Sequence, residues 1–93
     1  MRIDYDTEAQ ALDIAFADVS VAQTIEIDSG TLVDVAADGT VGGIEVINPG
    51  RSWPLHEILE RFEIDPDASA MLEALWPQGG AQFAFAQPTA AVA

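Results

Sequence analysis

The first 47 residues alternate between apolar and polar side chains with a period of two, and this pattern limits the fold more than any other feature. Leu12, Ile14 and Phe16 alternate with Asp13 and Ala15. Successive side chains of a β-strand point to opposite faces of the sheet, so such alternation indicates strands with one buried face. The same pattern recurs along the segments 3–6, 24–28, 31–36 and 41–47.

Two dipeptides mark tight turns between these segments. Ser29-Gly30 separates one pair of segments, and Asp38-Gly39 separates the next pair. Both combinations suit the backbone conformations of hairpin turns. Because short turns favour antiparallel pairing of consecutive strands, the sequence predicts an antiparallel β-meander of four to five strands over residues 1–47.

Residues 53–76 change to a helical period. Pro54 suits the first turn of a helix, and an apolar stripe with helical spacing follows it: Leu55, Ile58, Leu59 and Phe62. Asp65-Pro66 repeats the start signal, with Asp65 as the N-cap. A second stripe then follows: Ala68, Met71, Leu72 and Leu75. We expect two short helices packed on one face of the sheet, which makes residues 1–76 a single α+β domain.

The charge balance excludes several classes of partner. Sixteen Asp and Glu residues stand against three arginines, which gives a formal net charge of −13. So few cations cannot neutralise a row of phosphates, and we expect no binding to nucleic acid or to anionic membrane surfaces. Hydrophobic residues make up 49% of the chain, too many for a disordered acidic segment. The chain has no cysteine, no signal-peptide pattern and no apolar window of about 18 residues, so we expect a cytoplasmic protein.

The C-terminal segment 77–93 differs from the rest because it carries no charge. Its Gly-, Ala- and Pro-rich composition is typical of a flexible tail, but Phe83 and Phe85 alternate with alanines as in a short strand. We expect these phenylalanines to pack on the domain or on a partner chain. Trp53 and Trp76 are further candidate interface residues, although both suit the core equally well. Open sheet edges and this tail favour a homodimer.

A set of carboxylates is predicted to share the polar face of the sheet. Its members are Asp13, Glu26, Asp34 and Glu45. Like charges opposite one another destabilise a sheet, so spacing, water, a cation or arginines from another chain must offset them. Carboxylate oxygens suit Ca²⁺ or Mg²⁺, which makes these four residues candidate metal ligands. The alternative is an ordinary solvated acidic face.

No arrangement of residues in the sequence favours an enzyme. His56 is the single histidine, and it lies in the first turn of the first predicted helix. No serine stands in a nucleophile-elbow context such as G-x-S-x-G. A pair of carboxylates could in principle hydrolyse a glycosidic bond, but a domain of this size has little room for a sugar site. We therefore expect no catalytic residues and no cofactor.

The ordered motifs of the β-rich half resemble a known family. They include Ile3-x-Tyr5-Asp6-x-Glu8, Ala11-Leu12-x-Ile14-x-Phe16, Glu26-x-Asp28-x-Gly30 and Asp38-Gly39-x-Val41-x-Gly43-Ile44-Glu45-Val46. Over about residues 2–48 the chain is similar to the small bacterial proteins of domain of unknown function family 2283. Gln10 and Asp13 depart from the family's pattern. The resemblance implies a compact β-rich domain without an established activity. Because some members of the family accompany toxin-like proteins, the resemblance also implies an antitoxin-like role.

These observations lead to three function hypotheses. The first is a non-enzymatic protein-interaction module that self-associates or binds a basic protein partner. The second is a small metal- or ligand-binding protein that uses the acidic sheet face. The third is a small hydrolase.

Overall fold

The structure, a computed structural model, describes residues 1–77. It contains five strands and two helices, with these bounds: β1 (Arg2–Asp6), β2 (Ala11–Ala15), β3 (Val21–Asp28), β4 (Thr31–Ala36), β5 (Val41–Ile47), α1 (Leu55–Arg61) and α2 (Pro66–Leu75). All five strands form one antiparallel sheet in the order β1-β2-β5-β4-β3. The predicted α+β fold class is confirmed.

The strand order departs from a plain meander at one connection. β2 pairs with β5 rather than with β3, because residues 16–20 form a longer crossing segment instead of a tight turn. The N–H groups of Phe16 and Ala17 both donate to the carbonyl oxygen of Gly42, at 2.8 and 3.3 Å. This segment carries the chain past the end of β5 to the far edge of the sheet, where β3 begins. The result is a Greek key built from β2 to β5.

A β-bulge in β5 allows this crossing. Asp34 pairs with Gly43 and Val35 pairs with Val41, so Gly42 is the extra residue of the bulge. A Cβ on Gly42 would lie 2.8 Å from Cγ2 of Val19 in the crossing segment. Gly42 therefore lets residues 16–20 pack closely against β5. Gly43 lets β2 approach β5, because a Cβ at this position would lie 2.7 Å from the carbonyl oxygen of Ile14.

One face of the sheet carries the hydrophobic core, and both helices cover it. The strands contribute Leu12, Ile14, Val33, Val35, Val41, Ile44 and Val46, and the helical segment contributes Trp53, Leu55, Ile58, Leu72 and Trp76. The N-cap prediction for α2 is confirmed, because the side chain of Asp65 accepts hydrogen bonds from the N–H groups of Asp67 and Ala68 at 3.1 and 3.2 Å. Pro66 occupies the first helical position.

The predicted apolar stripe of α2 is wrong in two of its four members. Leu72 is fully buried, but Met71 is 56% exposed and Leu75 is 37% exposed. The core side of α2 is set by Leu72 and by Trp76, the C-cap residue that follows Leu72 by four positions. This pair rotates Met71 and Leu75 away from the sheet, since neighbouring positions on a helix are separated by about 100°.

Arg51 ties the sheet to the segment that leads into α1. Its Nη1 and Nη2 atoms both donate to the carboxylate of Asp28, each at 3.2 Å. Nη2 also donates to the buried hydroxyl of Thr31 at 2.9 Å. Nε donates to the carbonyl oxygen of Ile47 at 3.1 Å, and Nη1 donates to that of Ser52 at 3.2 Å. A guanidinium has five N–H donors, and all of them are occupied here.

We expect Arg51→Lys to destabilise the fold although it keeps the charge. A single ammonium group cannot serve the carboxylate, the hydroxyl and two carbonyl oxygens together, and the loss should be about 1–2 kcal/mol. Urea denaturation measures the free energy of unfolding. Arg2→Lys is the matched control, because the contact of Arg2 within residues 1–77 is an exposed ion pair with Asp4. Equal effects of the two substitutions would contradict the proposed role of Arg51.

The contact between Arg51 and Asp28 also predicts that the protein loses stability in acid. Partial burial acts to raise the pKa of Asp28, but hydrogen bonds from Gly30, Thr31 and Arg51, with the positive charge of Arg51, hold that pKa below its usual value. A lowered pKa contributes stability that is present above the unfolded-state value of about 3.9 and is lost as pH falls through the folded-state value.

We therefore expect wild type to lose more free energy of unfolding than Asp28→Asn below about pH 5, while the variant is less stable at neutral pH. Urea denaturation at a series of pH values measures this. Asp18→Asn, which changes an exposed carboxylate outside the contact, is the control and should follow the wild-type curve. The prediction fails if Asp28→Asn also follows that curve.

Candidate functional site

The sheet face opposite the helices carries three carboxylates in direct register. Asp4 of β1 pairs with Asp13 of β2, and Asp13 pairs with Glu45 of β5. We call these three residues the acidic row. All three are exposed. Since like charges directly opposite on neighbouring strands destabilise a sheet, the acidic row is an unfavourable arrangement in the isolated chain.

The four carboxylates singled out in the sequence all lie on this outer face, but they do not converge on one point. Asp13 and Glu45 are direct neighbours, whereas Leu32 separates Glu45 from Glu26. Asp34 accepts a hydrogen bond from the hydroxyl of Thr24 at 2.6 Å. Within residues 1–77, no group of three or more His, Asp or Glu side chains is arranged to hold a metal ion.

Arginines offset little of this charge. Nε of Arg2 lies 3.0 Å from Oδ2 of Asp4, but both side chains are more than 60% exposed, and exposed ion pairs contribute little. Arg51 is engaged by Asp28. Arg61, at the end of α1, lies over the ring of Phe62 at 5.3 Å. Asp13 and Glu45 in the acidic row therefore lack a cationic neighbour among the described residues.

A second feature, which the sequence did not reveal, is a pair of strained residues at one end of the sheet. Gln10 and Asn48 both have positive φ, at 52° and 55°, and the N–H of Asn48 donates to the carbonyl oxygen of Gln10 at 2.8 Å. They line a small cleft with Tyr5 and Arg51. Asn tolerates this conformation better than most residues. Gln has no such preference, so the positive φ at position 10 could not be expected from the sequence. Because the donors of Arg51 are occupied, the cleft offers no free guanidinium N–H to an anion.

The single histidine lies in an open groove between the helices. His56 is exposed and lines this groove with Glu60 of α1 and with Ser69 and Glu73 of α2. No hydrogen bond joins His56 to Ser69 in the described part of the chain. The groove thus lacks the base–nucleophile contact that acyl transfer requires.

The candidate interface residues fall into two groups. Trp53 and Trp76 are both only 1% exposed, and their rings pack edge to face with centroids 5.4 Å apart. They complete the core beneath the helices, which is the alternative that the sequence left open. Phe83 and Phe85 lie outside the described residues.

Residues 1–77 form a small acidic α+β fold in which helices cover one face of the sheet and no described element covers the other. The chain belongs to the family described as protein of unknown function (DUF2283), which matches residues 2–48. The resemblance seen in the sequence is thereby confirmed. The matched region contains all five strands and ends one residue after β5.

Comparisons with curated proteins and with solved structures gave no match. Neither helix of the described region has the length and apolar character needed to cross a membrane.

We expect Asp13→Asn to raise the free energy of unfolding by about 0.5 kcal/mol at low salt, because Asp13 opposes a carboxylate on both sides. The gain should shrink in about 1 M salt, where exposed charges are screened. Thermal or urea denaturation at two salt concentrations measures it. Asp18→Asn removes one exposed charge outside the acidic row, and an equal gain from that control would show that only the net charge matters.

Proposed function

We propose that this protein is a non-enzymatic protein-interaction module that binds a basic protein through the open face of its sheet. The observation that carries the proposal is the acidic row. Three aligned carboxylates on an uncovered face oppose one another in the free chain, and a partner that supplies Lys or Arg side chains would convert this repulsion into attraction.

The surroundings of the acidic row support the same proposal. Leu32 lies beside Glu45 and is half-buried, and Ile47, further along β5, is 36% exposed. Apolar side chains within a charged surface are typical of protein–protein interfaces, in which a drier centre is surrounded by a polar rim. A net charge of −13 would also accelerate encounters with a basic partner. An antitoxin-like arrangement, which the family resemblance implied, fits this class of partner.

The other hypotheses have less support from the described residues. A metal site would need more converging ligands than the pair Asp13 and Glu45 offers. A hydrolase that acts by acyl transfer would need a base close to a nucleophile, and no hydrogen bond joins His56 to Ser69 within residues 1–77.

Self-association is the second candidate function. β3 is an edge strand, and its first four residues, Val21–Thr24, are uncharged and exposed. Val21 is 51% exposed. The other edge, β1, carries Arg2, Asp4 and Asp6 within five residues, and charged residues protect sheet edges from pairing. If the protein forms a homodimer, the β3 edge is therefore the better place for it, and light scattering after size exclusion would measure the mass.

We expect Asp13→Asn/Glu45→Gln to weaken binding of a short lysine-rich peptide by roughly tenfold, because two of the three carboxylates of the acidic row are lost. The matched control is Asp18→Asn/Glu57→Gln, which removes the same charge from exposed sites elsewhere and should weaken binding by only about twofold. Calorimetric titration measures both affinities.

The same two variants test whether a natural partner binds through the acidic row. A basic protein recovered with wild type from cells should be lost with the acidic-row variant and retained with the control. Equal weakening by the two variants would attribute binding to net charge alone and would contradict the assignment of the outer face.

A further inference from the structure

The exposed side of α2 is an apolar surface that no other described element covers. It consists of Ala70, Met71, Ala74 and Leu75, which we call the α2 stripe. All four residues are exposed. Met71 at 56% is the most exposed of the large hydrophobic residues among positions 1–77. The helix has its other face in the core through Leu72 and Trp76.

Of the two charges of α2, Glu73 lines the groove toward α1. Asp67 lies in the first turn, three and four residues before Ala70 and Met71, and so bounds the stripe at its N-terminal end. On a chain with net charge −13, an uncharged patch of this kind indicates contact with another apolar segment. Because the contact would add to the fold without using the outer sheet face, it is independent of the proposed function.

The chain itself supplies a matching segment directly after α2. Residues 78–93, which lie outside the described residues, carry no charge and include Phe83 and Phe85. Gly79-Gly80 lies between the end of α2 and these phenylalanines, and such a dipeptide permits a reversal of the chain. We propose that Phe83 and Phe85 fold back onto the α2 stripe of the same chain.

The spacing of the two phenylalanines fits the stripe. Two residues of extended chain advance by about 6.6 Å, and four residues of helix advance by about 6.0 Å. Phe83 and Phe85 therefore match Leu75 and Met71 when the tail runs antiparallel to α2. Side chains two residues apart on an extended segment point to the same side, so both rings meet the helix together.

A second copy of the chain is a poorer occupant of the same surface. Pairing α2 with another α2 would bring the acidic residues Asp67 and Glu73 of two chains close together, and such like-charge contacts disfavour association. The tail has no charge and is already tethered a few residues away, which gives it a high effective concentration.

Oxidation of methionine by hydrogen peroxide tests the proposal, with Met1 as an internal reference. Met1 is 46% exposed and Met71 is 56% exposed within residues 1–77, so equal or faster oxidation of Met71 is expected if nothing covers it. With the tail docked in roughly 70–90% of molecules, Met71 should oxidise about three- to tenfold more slowly than Met1. Peptide mass spectrometry of the full-length protein gives both rates.

Two variants of the full chain complete the test. Phe83→Ala/Phe85→Ala should raise the oxidation rate of Met71 to that of Met1, whereas Gln82→Ala/Gln87→Ala, the matched control in the same segment, should leave Met71 protected. Circular dichroism of each variant verifies that the fold is retained. Unprotected Met71 in wild type, or protection that survives loss of both phenylalanines, would overturn the proposal. Protection that increases with protein concentration would also overturn it, in favour of a second copy.

Discussion

A sheet of one layer cannot bury its apolar face by itself, and most of this structure follows from that limit. The inward residues of the five strands form a continuous apolar surface that water would cover if nothing packed against it. Trp53 and Trp76, at the two ends of the helical region, close this surface and contact each other edge to face. The helices are therefore a condition for the stability of the sheet.

Within residues 1–77 no element covers the other face, and most acidic residues of the strands lie there. Asp4, Asp13 and Glu45 share one row because their strands are neighbours, while Leu32 interrupts the row before Glu26. Charge on the open face keeps it hydrated and opposes random sheet-to-sheet contacts. A partner of opposite charge would reduce the repulsion within the row, and this is why the proposed interaction favours a basic protein.

Local periodicity allowed the fold class, the strands and the inward side chains to be predicted from the sequence, because alternation needs only near neighbours in the chain. The position of β2 beside β5 was not predictable in this way, since it depends on residues about thirty positions apart. The direct opposition of Asp13 and Glu45 depends on that pairing, so the candidate residues were identified but the acidic row was not.

Two other features were also beyond local reasoning. Met71 and Leu75 have the spacing of a core stripe, and only the packing of Leu72 and Trp76 decides that they face outward. Arg51 stands in a loop without periodicity, and its contacts with Asp28 and Thr31 join positions that are 23 and 20 residues apart.

The family match ends before the segment that covers the inner face of the sheet. The match stops at residue 48, so it includes every strand but neither Arg51 nor the tryptophans. The matched region supplies the strand side of the core, and the helical segment that follows it supplies the side that packs against the strands. In this chain the family match therefore includes every strand of the outer face but only one of the two surfaces that meet in the core.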